Sequence, residues 1–199
     1  MQAARGASLN HSGSSHPPAD STPASRPRSR SLALLAGIAL VGYGLDLGSK
    51  VWAVAALTGE PPVPVVGRLV TFYLARNPGA AFSTGTSYTI VLTFVAVAAA
   101  VAVLWFARRL RSTGWAIGLG FLLAGVLGNL TDRIFRSPGV LRGHVVDFIQ
   151  LPHWPIFNVA DMCITVAAAT IIVQAVRGVA VDGTRTRESR RRPEGDPAP

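Results

Sequence analysis

The sequence predicts an all-α integral membrane protein with four transmembrane helices and a small extracytoplasmic β-rich cradle. Three observations carry that expectation. Hydrophobic residues make up 49% of the 199 positions and charged residues only 15%, against about 25% charged in ordinary soluble domains. Mean hydropathy is +0.37. The apolar residues also gather into four runs, each near the ~20 residues a helix needs to cross a ~30 Å hydrocarbon core. A net charge of +9 would suggest nucleic acid in a soluble protein. Here most arginines lie in two tails and one short loop, where a topology signal accounts for them, and no nucleic-acid partner is expected.

Residues 1–31 are rich in Ser, Pro, Ala and Arg without an apolar period. They bury too little surface to offset their ordering entropy and are expected to be a disordered tail. Residues 32–57 form the first span. Arginines precede it and Ala53-Val54-Ala55 mimics a cleavage site, but the run is too long for a signal peptide and Asp46 and Lys50 interrupt its outer half. These two sit i,i+4 with the acid first, the favourable order for a helical ion pair. Each alone would cost about 2.5–3.5 kcal/mol at the membrane centre, so they are expected to pair inside the bundle, as structural or functional groups alike.

Residues 58–87 leave the membrane, and Pro61, Pro62 and Pro64 oppose a helix there. Residues 68–75 (RLVTFYLA) are β-branched and aromatic enough for a short strand. Asn77-Pro78-Gly79-Ala80-Ala81-Phe82-Ser83 then turns the chain back towards the membrane. The second span is 88–107, ended by Arg108, Arg109 and Arg111, and the third is about 115–134. In the third, Gly120, Ala124, Gly128 and Asp132 fall four apart on one face. Small residues on such a line allow close helix approach, and this one leads to a carboxylate. Gly125, Asn129 and Arg133 form the neighbouring line. The fourth span is 157–176, followed by a basic tail, 177–199, also expected to be disordered.

The N-terminal tail, the loop after the second span and the C-terminal tail carry 4, 3 and 6 arginines, against 2 and 3 in the other two loops. Both termini are therefore expected in the cytoplasm. That places residues 128–161 at the outer face, with three carboxylates (Asp132, Asp147, Asp161), two carboxamides (Asn129, Asn158) and Arg133. Polar groups at such a boundary are expensive to desolvate, which makes function the default reading.

The acids differ in their surroundings. Asp132 precedes Arg133 and lies four before Arg136, and reads as an ion-paired helix end ahead of a catalyst. Asp161 stands three after Asn158; if Asn158 caps the fourth span, Asp161 lies in its first turn, where the helix dipole favours an acid. On spacing alone, that role and a catalytic one weigh equally. Asp147, in Val145-Val146-Asp147-Phe148-Ile149, is apolar on both sides, so its pKa should rise. Two aspartates in a partly dry site share a proton, one acting as base and the other as acid. Such a pair activates water against a peptide carbonyl without metal or cofactor.

Rival chemistries are weaker. HExxH is absent, and His144 with His153 lacks a third ligand, so no metal is expected. Lys50 is the only lysine; as a base for Ser83 or Ser87 it would be kept charged by Asp46. Cys163, the only cysteine, lies inside an apolar run and reads as packing. A small proton-coupled transporter could use intramembrane acids, but four spans without an inverted repeat oppose it. A membrane scaffold acting through its basic tails is the other non-enzymatic alternative.

Five ordered blocks resemble those of bacterial lipoprotein signal peptidase (signal peptidase II): Asp46-Leu47-Gly48-Ser49-Lys50, the Asn77–Ser83 turn, Gly128-Asn129-Leu130-Thr131-Asp132-Arg133, Val145-Val146-Asp147-Phe148 and Phe157-Asn158-Val159-Ala160-Asp161. The resemblance spans residues 32–176. It implies an aspartic endopeptidase of the bacterial cytoplasmic membrane, without cofactor, that cuts diacylglyceryl-modified prolipoproteins just before the lipidated cysteine. By motif it assigns the catalytic dyad to Asp147 and Asp161. Asn129, Arg133 and Asn158 match residues supporting the dyad and holding substrate backbone, and Asn77 matches the cradle contact. Asp46 and Lys50 match a polar pair of the first helix, and Asp132 a supporting position. Prolipoproteins and membrane lipids are the implied partners.

Overall fold

A computed structural model describes residues 28–79 and 87–185. The expected tails, apart from 28–31 and 177–185, lie outside the described residues, as do residues 80–83 of the turn block. In chain order the elements are α1 (Arg28–Leu57), β1 (Val63–Val66), β2 (Val70–Asn77), α2 (Ser87–Ala107), α3 (Thr113–Phe135), β3 (Val145–Gln150) and α4 (Val159–Val176). All four helices are long and apolar enough to cross a membrane. Their outward residues are apolar, with Leu40 73%, Phe94 61% and Val176 83% exposed; water would penalise that surface and hydrocarbon does not.

The first helix begins at Arg28, inside the stretch expected to be disordered. The Ser31 hydroxyl donates to the Arg111 carbonyl (3.0 Å) and ties this first turn to the α2–α3 loop. The start of α4 falls at Val159 because Asn158 is its N-cap.

Helix α3 packs against all three other helices. Its line of small residues lies along α1: Gly120 faces Ile38, Ala124 faces Gly42, Gly128 faces Asp46, and Asp132 pairs with Lys50. Both helices thus present residues four apart, so one helical periodicity zips the pair. A Cβ at Gly128 would collide with the Asp46 carboxylate. On the neighbouring line, a Cβ at Gly125 would strike the Ala160 carbonyl of α4. Two apolar clusters close the bundle at opposite ends. One joins Leu35, Ala39, Val103, Leu110, Ala116, Leu119 and Leu123. The other joins Ala53 and Leu57 of α1 to Val146 and Phe148 of β3.

The three strands form an antiparallel sheet in the order β1-β2-β3. Pro64 sits in β1, the edge strand, where a missing N–H is tolerated. The strand expected at 68–75 is shifted to Val70–Asn77, because Gly67, at φ 51°, opens the hairpin turn that contains Arg68 and Leu69. At its far end β2 runs on to Asn77, paired with Val145. Strand β3, which the sequence reading left as loop, joins the cradle from outside residues 58–87. Edge-to-face contacts among Trp52, Phe72 and Phe148 fasten the sheet to α1.

Candidate active site

The site forms where β3, the C-terminal half of α3 and the first turn of α4 converge. Pairing of Ala75 with Asp147 fixes the height of the acid on β3. Asp147 is 2% exposed, and each of its oxygens accepts from a carboxamide. Asn158 Nδ2 donates to Oδ1 at 2.6 Å, and Asn77 Nδ2 donates to Oδ2 at 2.9 Å. Asn77 Oδ1 in turn accepts from the Gly79 N–H (2.8 Å), which holds the side-chain amide towards Asp147. Gly79 takes φ 105°, a conformation that favours glycine. The Thr89 hydroxyl donates to the Pro78 carbonyl and anchors the turn to α2.

Asp161 sits in the first turn of α4 in a reciprocal capping box. Its backbone N–H donates to Asn158 Oδ1 (3.0 Å), and its Oδ2 accepts from the Asn158 N–H (3.2 Å). Asn129 Nδ2 donates to the other oxygen, Oδ1, at 2.9 Å. Asn158 therefore addresses both acids, one through its side chain and one through its backbone. It also donates to Asn129 Oδ1 (3.2 Å), which receives Lys50 Nζ as well (3.0 Å). Both carboxamides are buried. Burial first, and then the charge of Asp161, push the Asp147 carboxyl up to about 6 against the opposing hydrogen bonds from Asn77 and Asn158.

Behind the acids lies a buried ionic lattice. Lys50, fully buried, pairs with Asp46 at 2.8 Å and with Asp132 at 2.9 Å. Asp46 Oδ1 accepts from the Ala160 N–H (2.8 Å), satisfying a free donor of the α4 N-terminus. Asp132 Oδ2 accepts from the Val146 N–H (3.2 Å), the residue before Asp147, and its Oδ1 pairs with Arg136. The expectation of an ion-paired helix end at Asp132 is met by Arg136, but the more consequential partners are Lys50 and the β3 backbone. Arg133 instead donates to the Asn129 carbonyl (3.3 Å), and its Nε has no hydrogen-bond partner among the described residues.

All nine polar residues singled out in the sequence are thus brought to one end of the bundle. The sequence reading missed the peptide N–H groups of Val146 and Ala160, and Gly143. A Cβ at Gly143 would strike the Asp132 and Arg133 carbonyls at the end of α3 and that of Arg136, its C-cap. No side-chain pattern marks a peptide group, so only the register could find the first two.

The family described as Signal peptidase (SPase) II matches residues 38–177. The chain belongs to that family. A lipoprotein signal peptidase of Mycobacterium avium is 47% identical over 166 residues, 83% of this chain and 91% of that protein. One from Mycolicibacterium smegmatis is 46% identical over 92% of this chain and 75% of its own length. Another, from Streptomyces griseus, is 47% identical over 81% and 82%. The fold is similar to that of a bacterial membrane enzyme solved by the in meso method at 1.9 Å resolution. That comparison has a TM-score of 0.61 and 23% identity, and covers 75% of this chain and 94% of the other. A second in meso structure, at 2.3 Å, gives a TM-score of 0.59. This member of the signal peptidase II family is a multi-pass bacterial membrane enzyme, an aspartic peptidase. Nothing in the family or the fold supports the transporter alternative.

Proposed function

We propose that Asp147 and Asp161 are the catalytic pair with which this signal peptidase II family member removes signal peptides from prolipoproteins. The observation that carries the reading is the convergence of both carboxyl groups on Asn158, Asp147 on its side-chain amide and Asp161 on its backbone N–H, with Asp147 buried and its pKa pushed up to about 6. One proton is then shared by the pair. We place it on Asp147, leaving Asp161 as the base.

Asp161 takes a proton from water as the water oxygen attacks the scissile carbonyl carbon, and Asp147 donates its proton to the carbonyl oxygen. The tetrahedral intermediate collapses as the C–N bond breaks. Asp161 passes its proton to the departing nitrogen, and one hydroxyl of the intermediate returns a proton to Asp147. Asn77, Asn129 and Asn158 orient the carboxyl groups. Arg133, whose guanidinium is held by the Asn129 carbonyl beside the acids, is the cation assigned to the substrate's backbone. The cradle supplies orientation by holding an extended segment beside the acids.

In the finer reading the substrate carries diacylglycerol on its lipobox cysteine and is cut just before it, with lipids of the bacterial cytoplasmic membrane as surroundings. Both termini lie in the cytoplasm and the acids near the outer face, which the arginine distribution supports. Purified protein incubated with a diacylglyceryl prolipoprotein should release the signal peptide. Asp147→Asn and Asp161→Asn should each abolish detectable release, with a loss of roughly 10²–10⁴-fold on the scale of lost acid–base groups, while helix content is retained. An active Asp147→Asn protein would overturn the assignment.

A further inference from the structure

At the opposite end of the bundle the helices leave a second polar cleft, of about 530 Å³, lined by Arg28, Arg108, Arg109, Arg111, Asp182 and Thr184. Four guanidinium groups face one carboxylate. Asp182 is already engaged: its Oδ1 accepts from the Thr184 N–H (3.0 Å) and the Thr184 hydroxyl (2.7 Å). None of the four arginines has an ion-pair partner among the described residues.

The cleft is built, rather than a loose charged tail. The Arg111 and Ser112 N–H groups donate to the Val181 carbonyl at 3.0 and 3.1 Å. Trp115 Nε1 donates to the Val179 carbonyl at 2.7 Å. The segment after α4 is thereby fixed against the α2–α3 loop, which Ser31 ties to the start of α1. Leu110, fully buried, anchors the loop from below.

The cleft also has an apolar approach. Val101, Leu104 and Trp105 are 59%, 58% and 53% exposed on α2, one line along the helix that ends beneath Arg108. The Arg109 guanidinium lies over the Trp105 ring, 5.9 Å from its centroid. Tryptophans mark the headgroup level of a bilayer, and basic pockets between helices at that level suit anionic headgroups. A free ion would use the guanidiniums and leave the ridge unused.

We propose that this cleft binds the phosphodiester headgroup of an anionic phospholipid, whose acyl chains lie along the α2 ridge. The site is distinct from the acids, and its test reads lipid retention, so it stands or falls apart from the peptidase chemistry. The full-length protein, purified from vesicles of equal phosphatidylglycerol and phosphatidylcholine, is examined by native mass spectrometry. Phosphatidylglycerol should be retained preferentially, and Arg108→Ala with Arg111→Ala should weaken retention roughly thirtyfold, at about 1 kcal/mol per arginine near the surface. The variant's unchanged prolipoprotein cleavage reports its fold; should it not purify, Arg28→Glu at an exposed position carries the same test. Equal retention of the two lipids overturns the proposal, as does wild-type retention by the variant. Displacement of the lipid by millimolar inorganic phosphate would make the cleft a free-anion site and overturn it as well.

Discussion

Asp147 shows how a single side chain takes its character from two opposed environments. Burial between Val146 and Phe148 disfavours its charge, while carboxamide N–H groups from Asn77 and Asn158 favour it. The balance leaves its pKa at about 6, above the usual 3.8. Its carboxyl is therefore protonated below that value and ionised above it. With Asp147 as the proton donor, kcat/KM should fall as pH rises through about 6. Asn77→Ala removes a donor to the ionised form, so the pKa rises and the falling limb moves to higher pH while the rate drops. A pH profile whose limb stays in place, or moves down, would reject this account. The stability linkage has the same sign. Since the folded-state value is the higher one, this group's stabilising contribution is full below the unfolded value and is lost as pH rises through about 6.

At the level of elements, the decisive contact is between α1 and α3. The i,i+4 spacing of Asp46 and Lys50 suggested a local pair, and that pair forms. What local spacing could not show is that Lys50 also pairs with Asp132 and donates to Asn129, so that one ammonium holds two carboxylates and a site carboxamide. Removing the cation while leaving both acids buried is costly: about 3–5 kcal/mol is typical when one partner of a buried pair is lost. Lys50→Met should therefore lower the thermal unfolding midpoint in detergent and reduce cleavage with it. An unchanged midpoint would mean that the lattice is not what holds α1 to α3. The capping box of α4 was legible because Asn158 and Asp161 have capping spacing, whereas the second cap from Asp46 to the Ala160 N–H was not, being made by a residue 114 positions away.

For the whole molecule, the acids and the arginine cleft lie at opposite ends of one bundle. In the proposed topology, which the arginine asymmetry supports, the cleft faces the cytoplasm and the sheet lies outside. In a Cys163→Ala background, Arg68→Cys in the β1–β2 turn should react with a membrane-impermeant maleimide on intact cells. Arg109→Cys should react only after permeabilisation. Labelling in the reverse order would invert the proposed topology, and with it the side on which substrate is cut.

The four spans, the choice of Asp147 as the desolvated acid and the cap at Asn158 were all set by sequence, because hydropathy, local polarity and capping are properties of neighbouring residues. Strand β3, the extension of β2 to Asn77 and the convergence of Asn77, Asn129 and Asn158 on the two aspartates depended on tertiary structure. Each requires a backbone partner or a facing helix far away in the chain. Asp132 illustrates the divide. Its neighbours in sequence point to arginine, and Arg136 is indeed beside it, but close approach at Gly128 brings α1 near enough for Lys50 to reach the same carboxylate. Burial in the packed bundle then makes that long-range pair a support for β3 and the acid it carries.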